Sequence, residues 1–168
     1  MRAFMPLAFA ALAACGGGST GPAGPVVLEP GPLSFSGDGA AQPEPPGRRE
    51  ALLNGLRLDT GVGTLSHDAR LARAADGHAE DMVRRGYFSH VAPGGDTVAE
   101  RVQAEGYRPE VVAEVLARRQ PTFAGALGDW EKSDSHRRVL LDPRVEDFGI
   151  GLAGPAWDRH WVLIVGAE

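Results

Sequence analysis

Cysteine is all but missing from this chain of 168 residues; Cys15 is the only one. A lone thiol closes no intrachain disulfide, so no covalent staple supports the fold. Lysine is nearly absent as well, with Lys132 alone among 17 basic side chains. Acidic side chains outnumber basic ones, 22 to 17, and the formal net charge is −5. The excess positive charge that phosphate backbones require is therefore lacking, which excludes nucleic acid as the main partner. No run is long enough to span a bilayer: the apolar stretch Ala3–Ala14 falls well short of roughly 20 residues. Two hydrolase signatures are also absent, the Gly-x-Ser-x-Gly elbow and the His-Glu-x-x-His helix. What remains, at 43% hydrophobic, suffices for one domain with a proper core and hardly for two.

The beginning of the chain carries targeting chemistry. Arg2, the short apolar run and then Leu12-Ala13-Ala14-Cys15-Gly16 resemble a bacterial lipobox. That resemblance implies a signal peptide over residues 1–14 and a lipidated Cys15 that anchors the protein to a membrane outside the cytoplasm. Gly16, rather than aspartate, directs such a protein to the outer membrane of a double-membraned cell. Residues 15–47 are rich in Gly, Pro, Ser and Ala, and the islands Val26-Val27-Leu28 and Leu33-Ser34-Phe35 are too short to bury much. They read as the lipidated N-terminus and a disordered tether. The globular domain is expected over residues 48–168.

Within it, apolar spacing predicts a helix over 48–58 and another from an N-cap at Ser66 to about Arg85, stopped by Gly86. His78 falls on the apolar face of the second helix as a satisfied core or cleft-rim residue, and His67 in its solvated first turn. Thr97 and Glu100 have capping-box spacing and open a short helix to about Gly106. Val111–Leu116 is β-branched and apolar around Glu114 and reads as a strand. A helix over 122–132 carries Trp130, and Phe148–Leu152 and Trp161–Val165 are strands joined by a turn. Trp130 and Trp161 are expected in the core, and His160 at the surface or a strand end. The order suits an α+β layered domain rather than βαβ units.

Two histidines stand out. His90, in Gly86-Tyr87-Phe88-Ser89-His90, and His136, in Ser133-Asp134-Ser135-His136-Arg137, each sit in a stretch with its own turn punctuation. Their setting predicts one shared cleft. Ser89 and Ser133 lie nearby, but without a nucleophile elbow they read as caps.

In order along the chain, Leu52-Leu53-Asn54-x-x-Arg57, Gly61-Val62-Gly63-Thr64-Leu65, Met82 through Tyr87-Phe88-Ser89-His90, Pro93-x-Gly95 and Arg101 are followed by Trp130-x-x-Ser133-x-x-His136-Arg137. Leu140-Leu141-Asp142-Pro143, Gly149-Ile150-Gly151 and Trp161-Val162 complete the series. This set resembles the CAP superfamily (cysteine-rich secretory, antigen 5 and pathogenesis-related 1) in its small bacterial form, over about residues 48–166. The resemblance implies an α-β-α sandwich with a central antiparallel sheet and a cleft of two histidines with acidic partners. His90 and His136 occupy the histidine positions and Glu114 the glutamate of a Gly-Glu-Asn-Ile-Ala motif. Here Ala113 and Val115 replace the glycine and the asparagine. Ser133 stands at the second acidic position, as in bacterial relatives.

His90, Glu114 and His136 form a donor set that zinc or another divalent ion accepts, with open positions for water. The depleted polar set favours a non-catalytic binding module over an enzyme. Its ligand would be a small molecule, lipid, cell-wall fragment or protein, and Ser133 would join the three at the cleft. The alternative is a metal-assisted envelope hydrolase or peptidase, with those three as the catalytic candidates.

Overall fold

The computed structural model describes residues 44–168. The expected signal peptide, Cys15 and the tether up to residue 43 lie outside the described residues.

Helix α1, Pro46–Asp59, opens on a proline, whose missing N–H costs nothing in the first turn. It starts two residues before the expected domain boundary. Its fully buried Leu53 enters the core, and Asn54 clasps the loop beyond: Nδ2 donates to Leu65 O (2.9 Å) and Oδ1 accepts from Leu65 N–H (2.8 Å). Arg57 is 1% exposed and spends its guanidinium on backbone carbonyls, donating to Gly63 O (2.6 Å), Leu140 O (2.6 Å) and Asp142 O (3.2 Å).

Ser66 is not the N-cap that its spacing predicts. Its N–H donates to Glu146 O, which places Ser66 and His67 in a two-residue strand, β1. Asp68 caps the following helix, accepting from the N–H groups of Arg70 and Leu71. That helix, α2, is Ala69–Arg85, ended by Gly86 in the left-handed region (φ 69°). The capping box of Thr97 and Glu100 is present and opens α3, Val98–Ala104. Strand β2 is Val111–Arg118, and α4 is Phe123–Lys132 with Thr122 as its cap. A further helix that sequence periodicity did not show, α5 at Asp134–Leu140, precedes the hairpin of β3, Asp147–Ala153, and β4, His160–Ala167.

The sheet runs β1-β3-β4-β2. Both β4 pairings are antiparallel, while β1 joins β3 in parallel through two residues, an addition to the antiparallel sheet expected. Strand alternation sorts the core into two layers. Val115, Trp161, Leu163 and Val165 face Leu53, Phe123, Trp130 and Leu140. Leu116, Val162 and Ile164 face Leu71, Met82 and Val102. The result is the expected α-β-α sandwich, with α1, α4 and α5 on one side and α2 and α3 on the other. On β3 the second layer comes extremely close: a Cβ on Gly149 or Gly151 would stand 2.2 Å from the backbone of α2.

Candidate functional site

Glu114 lies on the β2 face shared by Val112 and Leu116, so alternation points it into the α2/α3 layer. Its side chain is 1% exposed and both oxygens are engaged. Oε1 accepts from His90 Nδ1 at 2.8 Å, and Oε2 from the Arg101 guanidinium at 2.7 Å. Arg101 reaches this point because the capping box sets the phase of α3. It also donates to the carbonyls of His90 (3.1 and 3.2 Å) and Asp96 (2.9 Å), tying the turn that carries His90 to the helix. Glu114 is the acceptor on both sides, so the shared proton sits on His90 Nδ1. The neutral ring then presents Nε2 as an acceptor, and a protonated ring presents it as a donor. The His90 side chain is 55% exposed, so it is the part of the cluster open to a ligand.

His78 belongs to this cluster, although its sequence position marks it only as a core or rim residue. It is 1% exposed, its Nε2 donates to Ser89 O (3.0 Å), and the same nitrogen stands 3.8 Å from Glu114 Oε1. Burial holds this imidazole below its ordinary range, against the opposing pull of Glu114. Behind it, Tyr87 donates to Asp81 (2.7 Å), and burial followed by that hydrogen bond pushes its hydroxyl up to about 12.

His136 and Ser133 lie in an adjoining groove of about 370 Å³, together with Phe88, Leu116, Arg118 and Trp130. Leu116 is two residues on from Glu114, so the groove begins about 7 Å farther along β2. Of the residues singled out in the sequence, the structure therefore joins His90 to Glu114 and sets His136 beside Ser133. Among the described residues no group of three or more His, Cys, Asp and Glu side chains is placed to hold one metal ion. Nor do the donors around Glu114 fit a divalent cation: both carboxylate oxygens are committed, one of them to a guanidinium that would repel it.

His160 is a strand-end residue, as expected, but it is not at the surface. It is 2% exposed and packs edge-on against Phe88 (ring centroids 5.6 Å apart), so it supports the groove wall from behind. His67 is exposed, though on β1 rather than in a helix. Trp130 and Trp161 are core residues, with indole N–H groups donating to Leu116 O and Gln120 O (2.8 Å each).

Helices layered on both faces of this sheet, with a histidine–glutamate pair on the α2/α3 side, define a CAP-type sandwich. The chain belongs to the cysteine-rich secretory protein (CAP) family, whose model matches residues 50–165. It does so without the cysteines of the family's name, since Cys15 lies before the match. Over 111 residues it is 30% identical to the uncharacterized membrane protein YlbC of Bacillus subtilis (strain 168), covering 66% of this chain and 32% of that one. Over 113 residues it is 26% identical to YkwD of the same organism, covering 66% and 44%. The chain thus spans about a third of the length of one of these relatives and less than half of the other. Among solved structures, an extracellular SCP-domain protein of Bacillus anthracis str. Ames superposes with a TM-score of 0.68 at 26% identity, over 73% of this chain and 40% of that one. An outer surface protein of Borrelia burgdorferi shares the fold, with a TM-score of 0.66 at 18% identity over 71% and 89%.

Proposed function

We propose that the chain is a lipid-anchored, extracytoplasmic binding module, with His90 and the Phe88–Ser133–His136 groove as its contact surface. The observation that carries this reading is the state of Glu114: buried, it accepts from His90 and Arg101 at once. A carboxylate so committed braces the imidazole instead of serving as a free general base. The groove next to it offers an aromatic edge and apolar floor, with hydroxyl, imidazole and guanidinium groups at the rim. That mixture suits a cell-wall fragment, whose sugar and peptide parts present both kinds of surface. The lipobox-like sequence at Cys15, the extracellular SCP-domain protein and the membrane protein YlbC support a place at the envelope.

The test uses the isotope-labelled mature chain and soluble peptidoglycan fragments. The amide signals of Phe88, Ser133 and His136 should shift on titration, and His136→Ala should weaken binding at least tenfold while the fragments stay intact. Unchanged signals in the groove at millimolar fragment would refute the reading. New fragment ends that appear with the parent chain but not with Glu114→Gln would make it a hydrolase instead. Mass spectrometry of the mature N-terminus tests the anchor; an unmodified N-terminus downstream of Cys15 would remove it.

A further inference from the structure

We infer that the end of the domain at which β3 turns into β4 is a membrane-docking surface that seats Trp157 among the headgroups of an anionic bilayer. Trp157 is 75% exposed, whereas Trp130 and Trp161 are almost wholly buried. The turn that carries it is closed by Asp158 N–H donating to Pro155 O (2.9 Å). Val83, near the end of α2, is a second exposed apolar side chain here, since a Cβ on Gly154 would stand 3.3 Å from its Cγ2. An indole left in water gains by moving to a membrane interface, where its ring meets acyl chains and its N–H stays among headgroups.

Charge divides the sheet by its ends. At the Trp157 end, Arg118 closes β2, Arg119 follows it, and Arg159 precedes β4. At the far end, Glu110 precedes β2, Glu146 precedes β3, Asp147 opens β3, and Glu168 follows β4. The ion pairs keep this polarity. Asp158 accepts from both Arg118 (2.8 Å) and Arg119 (3.4 Å), and Asp81 is likewise shared by Arg84 and Arg85 at the end of α2. Two arginines to one aspartate leave each cluster with a positive charge, and the side chains of Arg84 and Arg119 are exposed. At the far end the ratio is reversed, with Arg70 held between Asp68 and Glu168. Anionic headgroups therefore attract the end that carries Trp157 and repel the other.

The chain also enters the described domain at the Trp157 end. Glu44 sits on the first turn of α4, accepting from Phe123 N–H (2.6 Å), and only the short connection Arg119–Thr122 separates that helix from β2. With the lipid anchor proposed at Cys15, on which this orientation rests, acyl chains and an arginine-bearing face supply the two signals that stable attachment takes. Val83, Arg84, Arg119 and Trp157 line no part of the Phe88–Ser133–His136 groove, so docking and groove binding can be tested apart.

The test uses the full mature polypeptide made without acyl chains. It is mixed with vesicles of phosphatidylglycerol and phosphatidylethanolamine in equal parts, with phosphatidylcholine vesicles as control. Cosedimentation should be at least tenfold stronger on the phosphatidylglycerol vesicles and should fall at least tenfold at about 1 M salt, where the Debye length shrinks to about 3 Å. Lipids brominated near the headgroup end of the acyl chains should quench the protein's emission, and Trp157→Phe should abolish that quenching. Trp157→Ser and the double variant Arg84→Glu/Arg119→Glu should each weaken binding at least tenfold. Failure of the parent chain to sediment with phosphatidylglycerol vesicles would overturn the inference. So would equal binding to both kinds of vesicle, or quenching that persists in Trp157→Phe. The sedimentation and quenching of the parent need no variant, so a misfolded one would not shield the idea. An unmodified N-terminus in the mature protein would remove the anchor and leave the vesicle result to stand or fall by itself.

Discussion

His78 and His160 are 1% and 2% exposed, and in each burial is the largest influence and holds the imidazole below its ordinary range. The folded protein therefore carries fewer protons than the unfolded chain, whose histidines titrate near about pH 6.5. Stability from this source is complete above that pH and is lost as pH falls through the lowered folded values. The urea midpoint is expected to be lower at pH 5.5 than at pH 7.5, above the range where ordinary carboxylates protonate. His78→Gln, which keeps a donor for Ser89 O, should shrink that drop; an undiminished drop would acquit His78. At this scale the sequence exposed His90 and Glu114, each a titratable group in an apolar or aromatic stretch. It did not reveal the role of His78, because a histidine on an apolar helix face looks the same whether it meets a methyl group or a carboxylate. Arg101 was visible only as a spacing match. Its bond to Glu114 depends on how α3 lies against β2, which no local pattern encodes.

Among the elements, the β3 pattern Gly149-Ile150-Gly151 records how closely α2 approaches. Gly151→Ala should cost about 3 kcal/mol in urea unfolding, because the methyl would meet helix backbone that cannot rotate aside. Gly128→Ala in α4, where a Cβ meets nothing within 4 Å, should be neutral or stabilise by about 0.5–1 kcal/mol. Equal effects would dissociate the glycine pattern from packing. The long elements were readable because each repeats one period: α2 buries one stripe, and β4 is apolar from Trp161 onward, as a central strand covered on both faces must be. Two short ones were not. Two residues of β1 have no period, and its partner at Asp147 lies far along the chain. The Ser133-Asp134-Ser135 string that leads into α5 has loop chemistry, and the helix follows from packing beside α4.

For the whole molecule, the folded part reaches farther toward the N-terminus than composition indicated. Glu44 Oε2 accepts from Phe123 N–H (2.6 Å) and Oε1 from Ala124 N–H (3.4 Å), a carboxylate set on the first turn of α4. A chain that begins at Glu44 should unfold like the mature protein, whereas one that begins at Arg48 should lose about 1 kcal/mol or more. Matching midpoints for the two would mean that this contact adds nothing in solution. Arg57 has a different reach. Its bonds to Leu140 O and Asp142 O close sequence separations of 83 and 85 residues. Such closures carry a high chain-entropy cost, so they belong after the barrier, once the β3–β4 hairpin and α2 have assembled. Arg57→Met should therefore leave the refolding rate nearly unchanged. Unfolding should accelerate, by about 30-fold if about 2 kcal/mol is lost at the abandoned carbonyls. The guanidinium acts as a latch on the native state: it governs how long the domain stays folded, and not how quickly it gets there.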